Sequence, residues 1–178
     1  MTPRIAPGDR RSAGLFAWGF SQLAGRVSRT NPPHLFLTMG RNHKLFRGWL
    51  RFAGRLMPGG RLPRRDTELV ILRVAHLRSC AYEFEHHVRL GRRAGVTAED
   101  VTRVQAGPTA PGWNAREAAL LQAVDRLHRD GDLDDATWAA LREHLDEPSA
   151  IEFLLLVGHY EMLATFLLTL RIAPDAHR

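Results

Sequence analysis

Cysteine is almost absent: Cys80 is the only one in 178 residues. One cysteine excludes an intrachain disulfide framework and fits a reducing, cytoplasmic setting, where it is either an apolar filler or a reactive thiol. Lysine is equally scarce. Lys44 stands alone among 25 basic residues, so arginine carries the formal net charge of +6. The arginines read as spread along the chain, gathered no further than the pairs Arg10-Arg11, Arg64-Arg65 and Arg92-Arg93. There is no zinc-ligand spacing and no aromatic RNA-binding motif, so no nucleic-acid partner is expected. Strand signals are lacking as well, since no stretch alternates apolar and polar residues over a strand's length. Neither an internal repeat nor a low-complexity segment is present.

Long apolar runs are few, and both are interrupted. In residues 10–25 an arginine pair precedes an apolar run, as in a secretory or twin-arginine signal. Gly19, Ser21 and Gln22 break that run, and a surface helix is the expectation. Residues 149–170 are long enough to span a bilayer, but Glu152, His159 and Glu161 would then sit deep in lipid. A core or interface helix is expected there, and no membrane partner.

What is present is helix signal throughout. The periodicity and breakers place helices near 12–27, 33–40, 42–57, 64–77, 80–94, 97–105, 114–130, 134–145 and 148–172. Thr97 reads as an N-cap, and Asn114 to Glu117 as a capping box. The expected fold is all-α. The length favours one domain over residues 1–178, with an N-terminal helical extension to about residue 60 and core motif helices over about 61–172.

The chemistry-bearing residues gather in one stretch, SCAYEFEHH, Ser79 to His87. At 100° per residue, Cys80, Glu83 and His87 share the apolar side of their helix, while Glu85 and His86 fall on the solvated side. Glu83 and His87 are i, i+4 neighbours, within reach of one another. A buried carboxylate and imidazole cost several kcal/mol unless paired. They are either a self-satisfying core pair or groups tuned for proton transfer. Cys80 opens the helix, where free N–H groups and the dipole favour a thiolate. Glu68, in the preceding helix, either serves that helix's dipole or joins the cluster.

With these residues in place, 61–101 (RLPRRDTELVILRVAHLRSCAYEFEHHVRLGRRAGVTAEDV) resembles the carboxymuconolactone decarboxylase family, which includes the AhpD-like alkylhydroperoxidases. The opening PRIAP, the stretch NPPHLFLTMGRNHKLF and the late GHYEML extend the resemblance loosely over the chain. It implies an AhpD-like helical bundle, a homo-oligomer (dimer, trimer or hexamer), a small-molecule substrate and no metal or organic cofactor. It aligns Glu68, Cys80 and His87 with the relay glutamate, the first cysteine and the histidine of the AhpD-like pattern. Glu83 stands where that pattern has its second cysteine, so no internal disulfide can form. Decarboxylase members carry a glutamate four residues before the histidine, as Glu83 and His87 stand here.

The resulting expectation is cofactor-independent acid–base chemistry of the decarboxylase type on a small organic acid or lactone. His87 would move the proton, Glu83 would orient it and Glu68 would complete the relay. Arg73 is a candidate anion holder, and Tyr82, His159 and Tyr160 are candidate pocket residues. The alternatives are a one-cysteine AhpD-like peroxidase using Cys80 with an external thiol, and a non-catalytic helical scaffold.

Overall fold

The computed structural model describes residues 2–28 and 30–176, and among these the chain is helical without a strand. The helices are α1 (Gly14–Ser28), α2 (His34–Met39), α3 (His43–Leu56), α4 (Arg64–Leu77), α5 (Ala81–Arg93), α6 (Ala98–Ala106), α7 (Ala115–Asp130), α8 (Asp135–Arg142) and α9 (Glu147–Leu170). Most bounds fall within two residues of those the periodicity predicts. At the α8 end the sequence reading runs three residues long, because His144 and Leu145 close a turn on Leu141. Thr97 and Asn114 form full capping boxes with Asp100 and Glu117. Asp130-Gly131, a hairpin signal in a β-protein, here ends α7 with Gly131 in the left-handed region (φ 74°).

Two compact units are formed, one from residues 1–54 and 165–178 (the terminal unit) and one from 55–164 (the central unit). The chain's last residues thus join its first. The terminal unit is built on aromatic rings. Phe46 is fully buried, stacks on Trp49 with centroids 6.2 Å apart, and meets Phe16, Phe20 and Phe36 at 6.0–6.3 Å. Phe20 and Phe36 close the cluster edge-to-face at 5.0 Å.

The central unit is built around α4, which is buried from Asp66 through Ala75. Leu69 and Leu72 pack with Val96, Val104 and Leu121, and Phe84, Val88, Val101 and Trp113 cover that cluster. The polar groups of so deeply buried a helix must be satisfied inside the protein, and arginines do this. Arg65 bridges Glu117 (2.8 Å) and Asp100 (2.7 Å). Arg116 joins Asp66 at 2.7 Å and also reaches the carbonyl of His144. Arg73 forms a two-pronged pair with Asp125 (2.6 and 2.8 Å) and donates to the Val104 carbonyl at 2.6 Å. Arg73 is therefore engaged in tying α4 to α6 and α7, which argues against its candidacy as an anion holder.

The polar residues of the apolar helix α9 also have protein partners. Glu152 accepts from the backbone N–H groups of Arg61 and Leu62, fixing the approach to α4. Glu161 accepts from His128 Nδ1 at 2.7 Å and faces Arg78 Nε at 3.4 Å. By length and composition α9 could cross a membrane. In the fold its Phe153, Leu156, Val157, Tyr160 and Leu163 side is buried.

Candidate active site

Three helices of the central unit build the site: α4 brings Arg64 and Glu68, α5 brings Glu83 and His87 with Cys80 at its N-cap, and α9 brings Tyr160. The turn between α4 and α5 sets the geometry. The N–H of Cys80 returns to the carbonyl of Ala75 (2.8 Å) and that of Ser79 to His76 (2.9 Å), a Schellman closure. Such a closure needs a left-handed residue, and Ser79 occupies it at φ 52°. Gly91 then lets α5 lie close on α4. A Cβ there would stand 3.2 Å from Val96 and 3.6 Å from the Cβ of Glu68.

This approach brings His87 Nδ1 to 2.7 Å from Glu68 Oε2. Glu68 is completely buried and His87 is 4% exposed. The partner of His87 is thus Glu68, across the helix pair. Glu83, expected to orient His87 along α5, does not do so. A carboxylate on Nδ1 fixes the ring's orientation and leaves Nε2 for proton transfer. Tyr160 sets its ring edge-to-face against His87 at 5.2 Å, with its hydroxyl 4.0 Å from Met57 Sδ. Burial and the nearby carboxylates of Glu83 and Glu68 push the Tyr160 phenol above its ordinary range, so it stays protonated.

Glu83 is 3% exposed, and neither carboxyl oxygen has a hydrogen-bond partner. Burial pushes its carboxyl up to about 8; the neighbouring Cys80 thiol is the main opposing pull, Glu161 adds repulsion and Arg78 a weaker attraction. It is a carboxylic acid, not a carboxylate, at neutral pH. Cys80, 1% exposed, is pushed up to about 12 by burial first and then by Glu83. The backbone N–H groups of Tyr82 and Glu83 pull the other way but do not offset this. Of the two readings of Cys80, burial beside an acid favours the apolar filler over the thiolate, because it outweighs the helix dipole. Cys80 does border an open cleft of about 250 Å³ with Ala75, His76, Ser79, Phe84 and Gln105.

The remaining candidates separate. His159 is buried, and burial pushes it down to about 4, so its imidazole is neutral. It touches Tyr160 edge-to-face at 5.2 Å, one ring removed from His87. Tyr82 is buried, although the helical wheel puts it opposite His87. Glu85 is exposed as expected, but His86 is half-buried against His87, with its pKa lowered by burial, His87 and Arg89.

One residue escapes the sequence reading. Arg64 Nη2 stands 2.7 Å from Glu68 Oε1, an i, i+4 pair. The two are in contact without hydrogen-bond alignment, for neither Glu68 Oε1 nor Arg64 Nη1 has a hydrogen-bond partner. The spacing alone could have flagged this pair. It was hidden because Arg64 reads as half of a surface arginine pair.

Residues 43–126 match the Carboxymuconolactone decarboxylase family. Similar solved structures share the fold. An alkylhydroperoxidase AhpD core protein, described as peroxidase-related, from Ralstonia eutropha JMP134 superposes with TM-score 0.84 at 16% identity, covering 97% of this chain and 92% of its own. A putative antioxidant defence protein AhpD from Agrobacterium tumefaciens superposes with TM-score 0.69 at 19% identity, covering 74% of this chain and 90% of its own. The debrominase Bmp8, as a cysteine-to-alanine variant in complex with 2,3,4-tribromopyrrole, superposes with TM-score 0.78 at 17% identity, covering 97% and 92%. No curated protein sequence matches significantly. The fold is an AhpD-like all-α fold, and the match to the carboxymuconolactone decarboxylase family lies within residues 43–126.

Proposed function

We propose that the protein is a cofactor-independent enzyme performing proton transfer at carbon, of the decarboxylase type, on a small carboxylated acid or lactone. The observation that carries this reading is the buried hydrogen bond between His87 Nδ1 and Glu68 Oε2 at 2.7 Å. Loss of carbon dioxide breaks the carbon–carboxylate bond and leaves its electron pair in the adjoining carbonyl system. One proton must then be delivered to carbon. His87 Nε2 delivers it, with Glu68 holding the ring and stabilising its charged form. Glu83 is the reserve acid, protonated up to about pH 8. Arg64 Nη1, buried without a partner, is the donor for an anionic oxygen of the substrate.

A cytoplasmic homo-oligomer belongs to the same proposal, supported by Ile151, Leu155 and Met162, which are exposed on one side of α9.

The test is carbon dioxide release from a panel of small carboxylated lactones. His87→Ala and Glu68→Gln are expected to lose turnover by about a hundredfold or more, while Cys80→Ala keeps it. Full turnover by His87→Ala would remove the reading.

The second reading is a one-cysteine peroxidase, favoured by the cleft at Cys80 and by the antioxidant and peroxidase-related names of similar structures. Here the Cys80 thiol would be oxidised to sulfenic acid as peroxide is reduced to alcohol or water, and an external thiol would restore it. Its thiol, held near 12, disfavours this reaction at neutral pH. Peroxide consumption that vanishes in Cys80→Ala and survives in His87→Ala would establish it instead.

A further inference from the structure

The cations are not evenly spread, contrary to the first impression of the sequence. From Arg10 to Arg65 there are twelve arginines or lysines and no aspartate or glutamate. The terminal unit as a whole holds eleven such cations and two carboxylates, Asp9 and Asp175. Both carboxylates are committed locally. Asp9 accepts from the N–H groups of Arg11 and Ser12, and Asp175 accepts from the N–H of His34. Two carboxylates cannot neutralise eleven cations, so the unit carries a strong net positive charge.

The same unit exposes an unusual amount of apolar side chain. On α1, Leu15 is 64% exposed, Phe16 50%, Leu23 60% and Val27 62%. At 100° per residue these four fall within roughly a third of the helix circumference. On α3, Lys44, Arg47 and Arg51 lie on one exposed stripe beside exposed Leu45 and Phe52. The two faces adjoin. The Arg47 guanidinium lies over the Phe16 ring at 5.4 Å, and Leu15, Phe16, His43 and Arg47 line one cleft of about 330 Å³.

We propose that this face of α1 and α3 docks the protein on an anionic lipid bilayer surface. Exposed apolar and aromatic side chains interleaved with cations are what a peripheral helix needs to enter the headgroup region. Charge selects this occupant among the alternatives. A second copy placed face to face by two-fold symmetry would set positive against positive. A nucleic acid would match the charge but leave the exposed Leu15 and Leu23 against water. The expectation of no membrane partner rested on α9 as a spanning helix and does not bear on surface docking.

The experiment is co-sedimentation of the full chain with vesicles of phosphatidylcholine alone and with 30% phosphatidylglycerol, read at low salt and at 0.5 M salt. Binding is expected only to the anionic vesicles and is expected to fall with salt. Lys44→Glu with Arg51→Glu should weaken it by about tenfold or more. Leu15→Ser with Leu23→Ser should also weaken it while lowering the residual binding at high salt. All four positions are exposed, and a thermal melt checks that each variant is folded. Equal binding to neutral vesicles, or none to anionic ones, overturns the proposal. So does a Leu15→Ser, Leu23→Ser variant that converts a dimer to a monomer in light scattering without changing vesicle binding.

Discussion

The terminal and central units solve the problem of charge in opposite ways. The central unit has fourteen lysines and arginines against seventeen carboxylates, and draws many of them inward. Arg65, Arg73 and Arg116 each find an acid and a backbone carbonyl, and α4 is locked between them. The terminal unit has almost no acids, and its core is a cluster of rings around Phe46. Its described cations stay outside. Buried ion pairs add little net stability over apolar packing, but breaking one is costly. They fix the direction and register of a helix, and a site needing Glu68 within 2.7 Å of His87 depends on both. Aromatic packing fills volume and leaves the surface free for other use.

Activity should separate the units most sharply. His87→Ala is expected to lower turnover by about two to four orders of magnitude. Lys44→Glu with Arg51→Glu should leave the turnover of a soluble substrate unchanged. Steady-state kinetics on the same substrate checks both, and an equal loss in the two variants would dissolve the distinction.

Stability comes next. Phe46→Ala removes a fully buried ring at the centre of the aromatic cluster and should cost about 3–5 kcal/mol. Arg73→Ala strands Asp125 and the Val104 carbonyl and should cost about 3 kcal/mol, whereas Arg51→Ala on the surface should stay within about 0.5 kcal/mol. Urea titrations measure all three. Salt sharpens the contrast, because ion pairs this buried are screened far less than the surface cations of α3.

A subtler effect concerns pH. The Glu83 carboxyl is raised to about 8 in the folded protein from an ordinary 4.5. The native state therefore holds this proton more tightly than the unfolded chain does. Glu83's contribution is most favourable below about pH 4.5 and declines as pH rises to about 8. His159 acts at the acid side. Lowered from 6.5 to about 4, its contribution is fully present above about 6.5 and is lost as pH falls toward 4. Glu83→Gln should flatten the melting temperature between pH 5 and 8 and raise it most at pH 8. A decline as steep as that of the wild type would assign the proton elsewhere.

The smallest effect lies at the turn. Ser79 holds φ 52°, which glycine adopts without a Cβ penalty, and Ser79→Gly should change stability by about 1 kcal/mol or less, in the favourable direction. Thermal denaturation reads this directly, and a clear loss would mean that the serine side chain holds the turn.

The sequence by itself determined the helices, because apolar spacing, Thr97, Asn114 and the glycine stops act within a few residues. It also placed Glu68, Cys80, Glu83 and His87 on faces that turn inward. It could not determine which acid meets His87. Along one helix Glu83 at i−4 is the obvious partner, and only the close approach of α5 to α4 at Gly91 puts Glu68 there instead. The protonation of Glu83 and Cys80 was likewise decided in three dimensions. Residue type gives a carboxylate and a thiol near a helix start, but desolvation depends on everything packed around them. Arg73 is another such case, since its partner Asp125 is 52 residues away. Local order is written in neighbouring residues. The chemistry of a buried group is set by residues the chain brings together only on folding.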